Sequence, residues 1–138
     1  MTERPDAVET ALCALRFRDR SAAELEARLE QRGVGKAERE QALETLERIG
    51  YVDDERFARM RTEQLAERGS GDALIRDDLE RRGLAADVVE SALGALEPER
   101  ERAARIAKRR GHSVKTARYL ASRGFGEDAL DVVVAAEE

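Results

Sequence analysis

The chain has 138 residues, with 25 lysine and arginine side chains, 30 aspartate and glutamate side chains, one histidine and one cysteine. One cysteine excludes a disulfide framework and a cysteine-based zinc site, and one histidine excludes a histidine-pair metal site. No apolar run approaches the about 18 residues that cross a bilayer, and the first residues lack the basic-then-apolar pattern of a signal peptide. We therefore expect a cytoplasmic protein with no membrane span and no bound metal.

The motifs that mark common catalytic sites are absent from the sequence. There is no GxGxxG or GxxxxGK[ST] loop to hold phosphates, and no GxSxG nucleophile elbow. The sequence therefore indicates a protein that is not an enzyme and that uses no cofactor.

Three helices are predicted in the first part of the chain. Pro5 suits the first turn of the opening helix, whose apolar residues recur at i, i+3, i+4 and i+7, namely Val8, Ala11, Leu12 and Leu15. Ser21 and Glu24 form a capping-box sequence that starts the second helix, and Gly33 suits the left-handed position that ends it. The third helix ends before Gly50, and its apolar stripe consists of Ala42, Leu43, Leu46 and Ile49.

Six further helices are predicted in the remainder of the chain. The acidic run Asp53-Asp54-Glu55 suits the N-terminus of the fourth helix, where the helix dipole is positive, and Gly69 ends that helix. The other helices span residues 72–82, 86–97, 99–110, 114–123 and 127–136. Because the one β-branched run, residues 132–134, lies at the end of a helical pattern, we predict an all-α fold.

Three segments of the sequence share one pattern. Residues 25–34, 75–84 and 116–125 each end in leucine, two variable residues, arginine, glycine and an apolar residue. Their glycines, which are Gly33, Gly83 and Gly124, are 50 and 41 residues apart. Repeats of this length are typical of stacked units that cannot bury their apolar faces alone. We therefore predict tandem three-helix repeats at residues 5–50, 53–97 and 98–137, arranged as an elongated, curved array of about nine helices.

An arginine precedes the glycine in every repeat, at Arg32, Arg82 and Arg123. One interpretation is a contact with a partner that recurs in each repeat. The interpretation that we favour is structural, because a cation in the last helical turn offsets the helix dipole while its aliphatic stem covers apolar surface.

Positive charge is concentrated in residues 100–123, which we call the cationic segment. It contains nine basic side chains and one acidic side chain, whereas residues 53–98 contain seven basic and 12 acidic side chains. A block of one sign is typical of a surface that binds a polyanion or an acidic protein.

Helical projection places most of these cations on the sides of two helices that face away from the apolar residues, with Tyr119 among them. The candidate contact residues are Arg102, Arg105, Lys108, Arg109, Lys115, Arg118, Tyr119 and Arg123. Such a face can hold phosphates and stack a base, or it can bind carboxylates around an aromatic anchor. The alternative is a solvated face on which the tyrosine ring lies flat over arginine stems.

Three other features have structural interpretations. His112 is interpreted as an ordinary turn residue. Cys13 is interpreted as a small buried or half-buried thiol, because the sequence around it offers no cationic cluster that would activate it. Asp53 and Asp54 are adjacent on a helix and do not face each other, so helix capping is favoured over paired-carboxylate chemistry.

Three stretches of the sequence resemble the RecX family of regulatory proteins. Residues 50–58, Gly-Tyr-Val-Asp-Asp-Glu-Arg-Phe-Ala, resemble the family signature. Residues 20–25, followed by Leu29 and Gly33, resemble the first-repeat motif of the family, and residues 120–125 resemble its third-repeat motif. The resemblance covers residues 8–136 and implies tandem three-helix repeats.

The resemblance also implies a partner and an activity. Members of the family bind the RecA recombinase and its filaments on single-stranded DNA, and they usually inhibit the ATPase, coprotease and strand-exchange activities of RecA. We expect the same regulation here by a monomer, with weak direct contact to DNA and no membrane partner. On this hypothesis the cationic segment meets acidic filament surface or DNA phosphates, and residues 53–98 meet a basic surface of RecA.

The second hypothesis is an autonomous DNA-binding helical protein that uses the cationic segment. A three-helix unit can imitate a helix-turn-helix, with residues 114–123 as the recognition helix. That helix carries lysine and arginine but no asparagine or glutamine that would read adenine. Binding to DNA that depends steeply on salt in the absence of RecA would favour this hypothesis.

Overall fold

The computed structural model describes residues 6–16 and 19–135, and this part of the chain forms nine α-helices and no strand. They are α1 (Ala7–Leu15), α2 (Ala22–Gln31), α3 (Lys36–Arg48), α4 (Asp54–Glu67), α5 (Asp72–Arg81), α6 (Ala86–Gly94), α7 (Glu99–Arg110), α8 (Val114–Ser122) and α9 (Glu127–Ala135). The all-α prediction is confirmed. The predicted role of Pro5 and the predicted helix end at residue 136 lie outside the described residues.

One predicted helix is three residues too long at its C-terminus. The sequence predicts a helix over residues 86–97, whereas α6 ends at Gly94. Beyond it, the N–H of Leu96 donates to the carbonyl of Leu93 at 3.2 Å, which is the tighter spacing of a helix end. Pro98 disfavours helical backbone in the residue before it and is itself the N-cap of α7. The helix therefore ends well before the proline.

Two predicted N-terminal caps are present. The N–H of Glu24 donates to Ser21 Oγ at 3.1 Å, and the N–H of Ser21 donates to Glu24 Oε1 at 3.1 Å, so the capping box is complete. At α4, the N–H of Arg56 donates to Asp53 Oδ1 at 3.0 Å. Both capping predictions are confirmed.

Equivalent positions of the three repeats are buried alike. The leucine of the shared pattern is fully buried at Leu29, Leu79 and Leu120. The apolar residue after the glycine is buried at Val34, Leu84 and Phe125. The backbone φ of the glycine between them is +81°, +79° and +89° at Gly33, Gly83 and Gly124. The pattern therefore marks the same helix end, with the same left-handed glycine, in each repeat.

The chain divides into two compact units by its internal contacts. The first unit comprises Met1–Phe57 and Arg82–Leu84, and the second comprises Ala58–Arg81 and Ala85–Glu138. Repeat boundaries at residues 5–50, 53–97 and 98–137 stay a prediction. Each unit is described separately below.

In the first unit, α1, α2 and α3 pack around one apolar core. Its buried residues are Ala11, Leu25, Leu29, Val34, Ala42, Leu46 and Val52. The packed face of α1 is centred on Ala11, and Cys13 lies two residues further on, about 200° around the helix axis. Cys13 is exposed and Leu12, at the edge of that face, is 39% exposed. The predictions of a shielded thiol and of Leu12 in the core stripe are therefore wrong.

The N-terminus of α2 contacts the turn after α5 and the start of α4, all within the first unit. Ser21 Oγ donates to the carbonyl of Arg82 at 2.7 Å. Asp54 Oδ1 accepts the N–H of Ala22 at 2.8 Å. A Cβ on Gly83 would overlap the Cβ of Ala23, so the turn approaches α2 closely. We call this set of contacts the first junction.

In the second unit, α7, α8 and α9 pack around another apolar core, and α5 packs against α6. The buried residues of that core are Ala103, Ala107, Ala117, Leu120, Phe125, Ala129 and Val133. Alanines at two successive turns of α7 allow the neighbouring helices to approach it closely.

The N-terminus of α5 contacts the turn after α8 through backbone atoms of the second unit. The N–H of Gly71 donates to the carbonyl of Arg123 at 2.7 Å, and the N–H of Ala73 donates to the carbonyl of Gly124 at 3.1 Å. A Cβ on Gly71 would overlap the backbone of Gly124 and Phe125. We call this set of contacts, together with those of Glu99 described next, the second junction.

Glu99, the first residue of α7, joins two further backbone groups in the second unit. Its Oε2 accepts the N–H of Asp72 at 2.6 Å, and its Oε1 accepts the N–H of Gly126 at 2.8 Å. Asp54 does the same for α2 in the first junction, with a single bond. In both junctions, therefore, a carboxylate from the first helix of one repeat caps the second helix of the preceding repeat.

Two of the three arginines that precede a repeat glycine have contacts inside the protein. Arg82 pairs with Glu24 at 3.1 Å, and its guanidinium carbon lies 5.9 Å from the centroid of the Phe57 ring. The Arg123 guanidinium reaches Ser70 Oγ at 3.4 Å. Arg32 is exposed. These contacts favour the structural interpretation of the arginines.

Candidate interaction surface

Helix α7 places its charges according to the helix dipole. Glu99 and Glu101 lie in its first turn, and Lys108, Arg109 and Arg110 lie in its last turn. Acidic residues are favourable at the positive N-terminus and basic residues at the negative C-terminus. The helix dipole therefore stabilises the basic last turn of α7, even where a cation has no ion pair in the described part of the chain.

Arg102 does not lie on the exposed basic face that the sequence predicts. Its exposed fraction is 7%, its guanidinium donates to Asp72 Oδ1 at 2.8 Å and to the Ser70 carbonyl at 2.9 Å, and it lies 5.7 Å from the Phe125 ring centroid. Helical projection gives the direction of a side chain but not the elements that cover it. Here the start of α5 covers this edge of α7, so the prediction is wrong for Arg102.

Two other candidates are partly engaged inside the second unit. Arg105 pairs with the carboxylate of Glu97, although its side chain is 62% exposed. Arg123 is half-buried, and its side chain contacts Ser70, the residue before Gly71 of the second junction. Both charges are therefore less available to a partner than the sequence suggests.

The remaining candidates form an exposed cationic surface on α7 and α8. Lys108, Arg109, Lys115 and Arg118 are all exposed, and none of the four has an ion pair in the described part of the chain. An exposed, unpaired cation keeps its hydration and its field, which extends about 8–10 Å at physiological salt. We call these four residues the cationic surface.

Tyr119 lies beside this surface and carries a guanidinium on its ring. It packs against the core of the second unit, and the guanidinium carbon of Arg110 lies 3.7 Å from its ring centroid. Both side chains line a cavity of about 280 Å³, whose other lining residues are Glu67, Arg68, Gly69, Ile106 and Arg109. We call this cavity the arginine pocket. An arginine thus lies against the tyrosine ring, as the alternative of a solvated face has it, and this arginine comes from α7.

Sequence reasoning missed Arg68 and Arg110 as candidates. Arg110 lies on the same side of α7 as the buried Ala103 and Ala107, and a cation on an apolar side must reach an aromatic ring or the solvent. That signal was available in the sequence. Arg68 follows α4 within the acidic residues 53–98, and only the tertiary fold brings it to α7.

Much of the acidic charge of residues 53–98 is paired locally. Arg61 makes two hydrogen bonds to the Asp78 carboxylate, at 3.0 and 2.9 Å. Arg76 bonds Glu90 at 2.8 Å. The hydrogen bond between Arg76 and Glu90 is the main cause that raises the pKa of the arginine and lowers the pKa of the glutamate. Glu80 and Asp87 are exposed acids in this part of the second unit.

Among the described residues, no group of three or more histidine, cysteine, aspartate or glutamate side chains has a geometry that could hold a metal ion. His112 is half-buried in the turn between α7 and α8. Within residues 6–16 and 19–135, no helix has the length and apolar character to traverse a bilayer.

Comparison with known proteins gives one family. The model of the second three-helix domain of RecX matches residues 53–93. The regulatory protein RecX of Deinococcus radiodurans is 32% identical in an alignment of 130 positions that covers 87% of this chain and 62% of that protein. RecX of Syntrophotalea carbinolica is 39% identical over 101 residues, 72% of this chain and 65% of that protein. The chain thus spans less than two thirds of the length of these two relatives.

Other relatives and a solved structure extend the match. The regulatory protein RecX of Mycobacterium sp. strain JLS is 34% identical in an alignment of 138 positions, gaps included, that covers 86% of this chain and 75% of that protein. The crystal structure of RecX from Lactobacillus salivarius superimposes with a TM-score of 0.81 at 20% identity, covering 94% of this chain and 93% of that one. At that identity the superposition concerns the fold alone.

Proposed function

The chain belongs to the RecX family, and from this premise we propose that it binds the RecA recombinase, including RecA filaments on single-stranded DNA, and lowers RecA activity. It does so as a binding protein and not as an enzyme. The relatives that share most of its length are named regulatory proteins, which supports regulation as the general role.

The observation that carries the proposal is the cationic surface. Four exposed cations without internal partners lie on two adjacent helices, and their mutual repulsion is relieved when a polyanion or an acidic protein surface binds. We therefore assign the filament contact to Lys108, Arg109, Lys115 and Arg118, beside Tyr119. Arg102 is not part of this contact because it is buried.

Inhibition follows from occupancy of the filament. A protein made of repeats offers several weak contacts at once, and linked contacts bind more tightly together than any one of them does alone. Bound in this way, the chain hinders entry of duplex DNA and alters ATP turnover by the RecA protomers that it touches.

The test measures the single-strand-dependent ATPase activity of RecA at increasing ratios of this protein. We expect inhibition by the unchanged protein. Reversal of the cationic surface, with Lys108, Arg109, Lys115 and Arg118 all changed to glutamate, raises the concentration for half inhibition by at least about tenfold, because like charges then meet at the contact. ATPase activity that stays constant at saturating protein would overturn the proposal.

A matched variant separates the contact from total charge. Arg32, Lys36, Arg48 and Arg59 are exposed cations outside the cationic surface. Their change to glutamate alters the net charge equally, and we expect half inhibition within about twofold of the unchanged protein. An equal loss of inhibition in both variants would mean that net charge causes the effect. Full inhibition by the variant with the reversed cationic surface would mean that the contact lies elsewhere on the protein.

A further inference from the structure

The arginine pocket gathers cations from parts of the chain that are distant in sequence. Arg68 follows α4, Arg109 and Arg110 end α7, and Tyr119 lies on α8, all within the second unit. Arg68 and Arg109 are exposed and have no ion pair within the described residues. Glu67 is the one carboxylate in the lining.

Charge makes the pocket a site for anions. The C-terminal ends of α4 and α7 each contribute about half a negative charge, and Glu67 contributes one more. Three guanidinium groups exceed these together, so the pocket retains a net positive charge. Guanidinium groups also supply planar pairs of N–H donors, which match the oxygens of phosphate groups.

The Arg110–Tyr119 stack adds a flat surface to this charge. At 3.7 Å from the ring centroid, one face of the guanidinium lies on the tyrosine, and the side chain as a whole is exposed. The stacked guanidinium is held in place before a ligand arrives, and its outer face is a platform on which a nucleobase can stack.

The surroundings favour a nucleotide over an acidic peptide. From Arg102 to Arg123 the chain has no acidic residue, and the cationic surface continues the positive charge beyond the pocket. On α7 and α8 the one large apolar side chain that is mostly exposed is Val114, so these two helices present little apolar surface to a peptide anchor. A charged track with a stacking platform is the arrangement that binds single strands.

We propose that the arginine pocket is a nucleotide-binding site, in which Arg68 and Arg109 hold a phosphate ester and the Arg110–Tyr119 stack supports the base. The ligand is a nucleotide unit of a single strand or a free nucleotide. This site adds a contact with nucleic acid to the proposed contact with the filament. It rests on the proposed function only because a RecA filament is what would present the strand. A test without RecA therefore separates the failure of either proposal from that of the other.

The test uses the full chain and the fluorescence anisotropy of a labelled thymidine strand of about 20 nucleotides at about 50 mM salt. We expect binding by the unchanged protein and at least about tenfold weaker binding when Arg68→Gln and Arg110→Gln are combined. The matched control combines Arg32→Gln and Arg59→Gln, two exposed arginines outside the pocket, and we expect a change of less than about twofold.

The tyrosine tests the stacking platform separately. Tyr119→Phe keeps the ring and should bind like the unchanged protein, whereas Tyr119→Leu should weaken binding because Arg110 loses its support. Circular dichroism and thermal unfolding of each variant establish that the fold is retained. Equal weakening by Tyr119→Phe and Tyr119→Leu would overturn the role of the ring.

Two competitors identify the ligand. If unlabelled ATP displaces the strand from the unchanged protein, and ATP binding also weakens when Arg68 and Arg110 are changed, the site binds free nucleotides as well as strands. Displacement by the strand alone assigns it to single-stranded nucleic acid. Polyglutamate that competes as well as the unlabelled strand at equal charge, or equal loss in the pocket and control variants, overturns the proposal. So does the absence of binding by either nucleotide form.

Discussion

In the first junction a serine side chain donates to the arginine carbonyl of the turn, whereas in the second junction the backbone N–H of the residue before α5 donates to it. Ser21 Oγ donates to the Arg82 carbonyl at 2.7 Å, and the Gly71 N–H donates to the Arg123 carbonyl at the same distance. A backbone donor requires a closer approach than a side chain that extends from it. The same repeat pattern is therefore joined through a side-chain spacer in the first junction and without one in the second.

The closer approach leaves less room for side chains in the second junction. A Cβ on Gly124 would lie 2.6 Å from the backbone nitrogen of Leu74. At the equivalent Gly83 it would overlap only the Cβ of Ala23, with the Ala23 Cα at an ordinary 3.9 Å, and at Gly33 it would meet no atom within 4 Å. The three glycines share a left-handed φ, so substitutions at them separate the cost of conformation from the cost of packing.

The largest effect is expected for Gly124→Ala. The left-handed φ costs about 1–2 kcal/mol for a residue with a Cβ, and overlap with backbone adds about 1–3 kcal/mol. Gly33→Ala, the matched control, should lose only the first amount because the space around it is open. Urea unfolding of both variants measures the difference, and equal losses would mean that the second junction is not closely packed.

A second substitution can restore the space that the added Cβ occupies in the first junction but not in the second. Gly83→Ala should be partly restored by Ala23→Gly, because the overlapping atom in the first junction is a side-chain carbon. A corresponding rescue of Gly124→Ala by a substitution at Leu74 should fail, since the nearest atom there is the backbone nitrogen.

Arg102→Ala should have the next largest effect, a loss of about 3 kcal/mol of unfolding free energy. The substitution removes a buried cation and leaves the Ser70 carbonyl and the Asp72 carboxylate without it. Arg105→Ala removes an exposed cation from the same helix and should cost less than about 1 kcal/mol. A similar cost for both would contradict the burial of Arg102.

The two capping carboxylates should differ by about a factor of two. Asp54→Ala removes one hydrogen bond to the α2 N-terminus and should cost about 1 kcal/mol. Glu99→Ala removes two, from Asp72 and Gly126, and should cost about 2 kcal/mol. Denaturation of the two variants under one condition gives the ratio. A greater loss of unfolding free energy for Asp54→Ala than for Glu99→Ala would contradict the prediction that the second junction depends more on its capping carboxylate.

The smallest effect concerns pH and lies outside both junctions. Glu90 has a lowered pKa in the folded chain because it bonds Arg76, so the unfolded chain takes up the proton first. Its contribution to stability is complete at neutral pH and is lost as the pH falls through the folded-state pKa. Stability of Glu90→Gln should therefore fall less steeply on acidification than that of the unchanged chain. Identical slopes would show that the exposed pair contributes nothing.

The predictable part of the fold depends on local chemistry. Ser21 with Glu24, Asp53, and the glycines of the repeats act within a few residues of themselves, and the structure has them as the sequence predicts. The repeat pattern also predicts burial correctly at Leu29, Leu79 and Leu120. Such signals need no knowledge of what packs on the helix.

The candidate surface was predictable only in outline. The sequence predicts the helices and their charge, and Lys108, Arg109, Lys115 and Arg118 are exposed as expected. It misplaces Arg102 and Cys13, because the depth of a side chain depends on which other element covers its helix. The arginine pocket depends on Arg68, which no pattern in the sequence connects with α7.

Sequence alone is enough to predict the all-α class, the repeat, the location of positive charge along the chain and the helix ends, with the end of α6 as the exception. These follow from hydrogen bonds and periodicities that span a few residues. Which cations are neutralised depends on the folded chain, since Asp72 and Arg102 are 30 residues apart in sequence and meet only after folding. The energy of two charges depends on the distance between them, and the linear sequence does not give that distance for residues far apart along the chain.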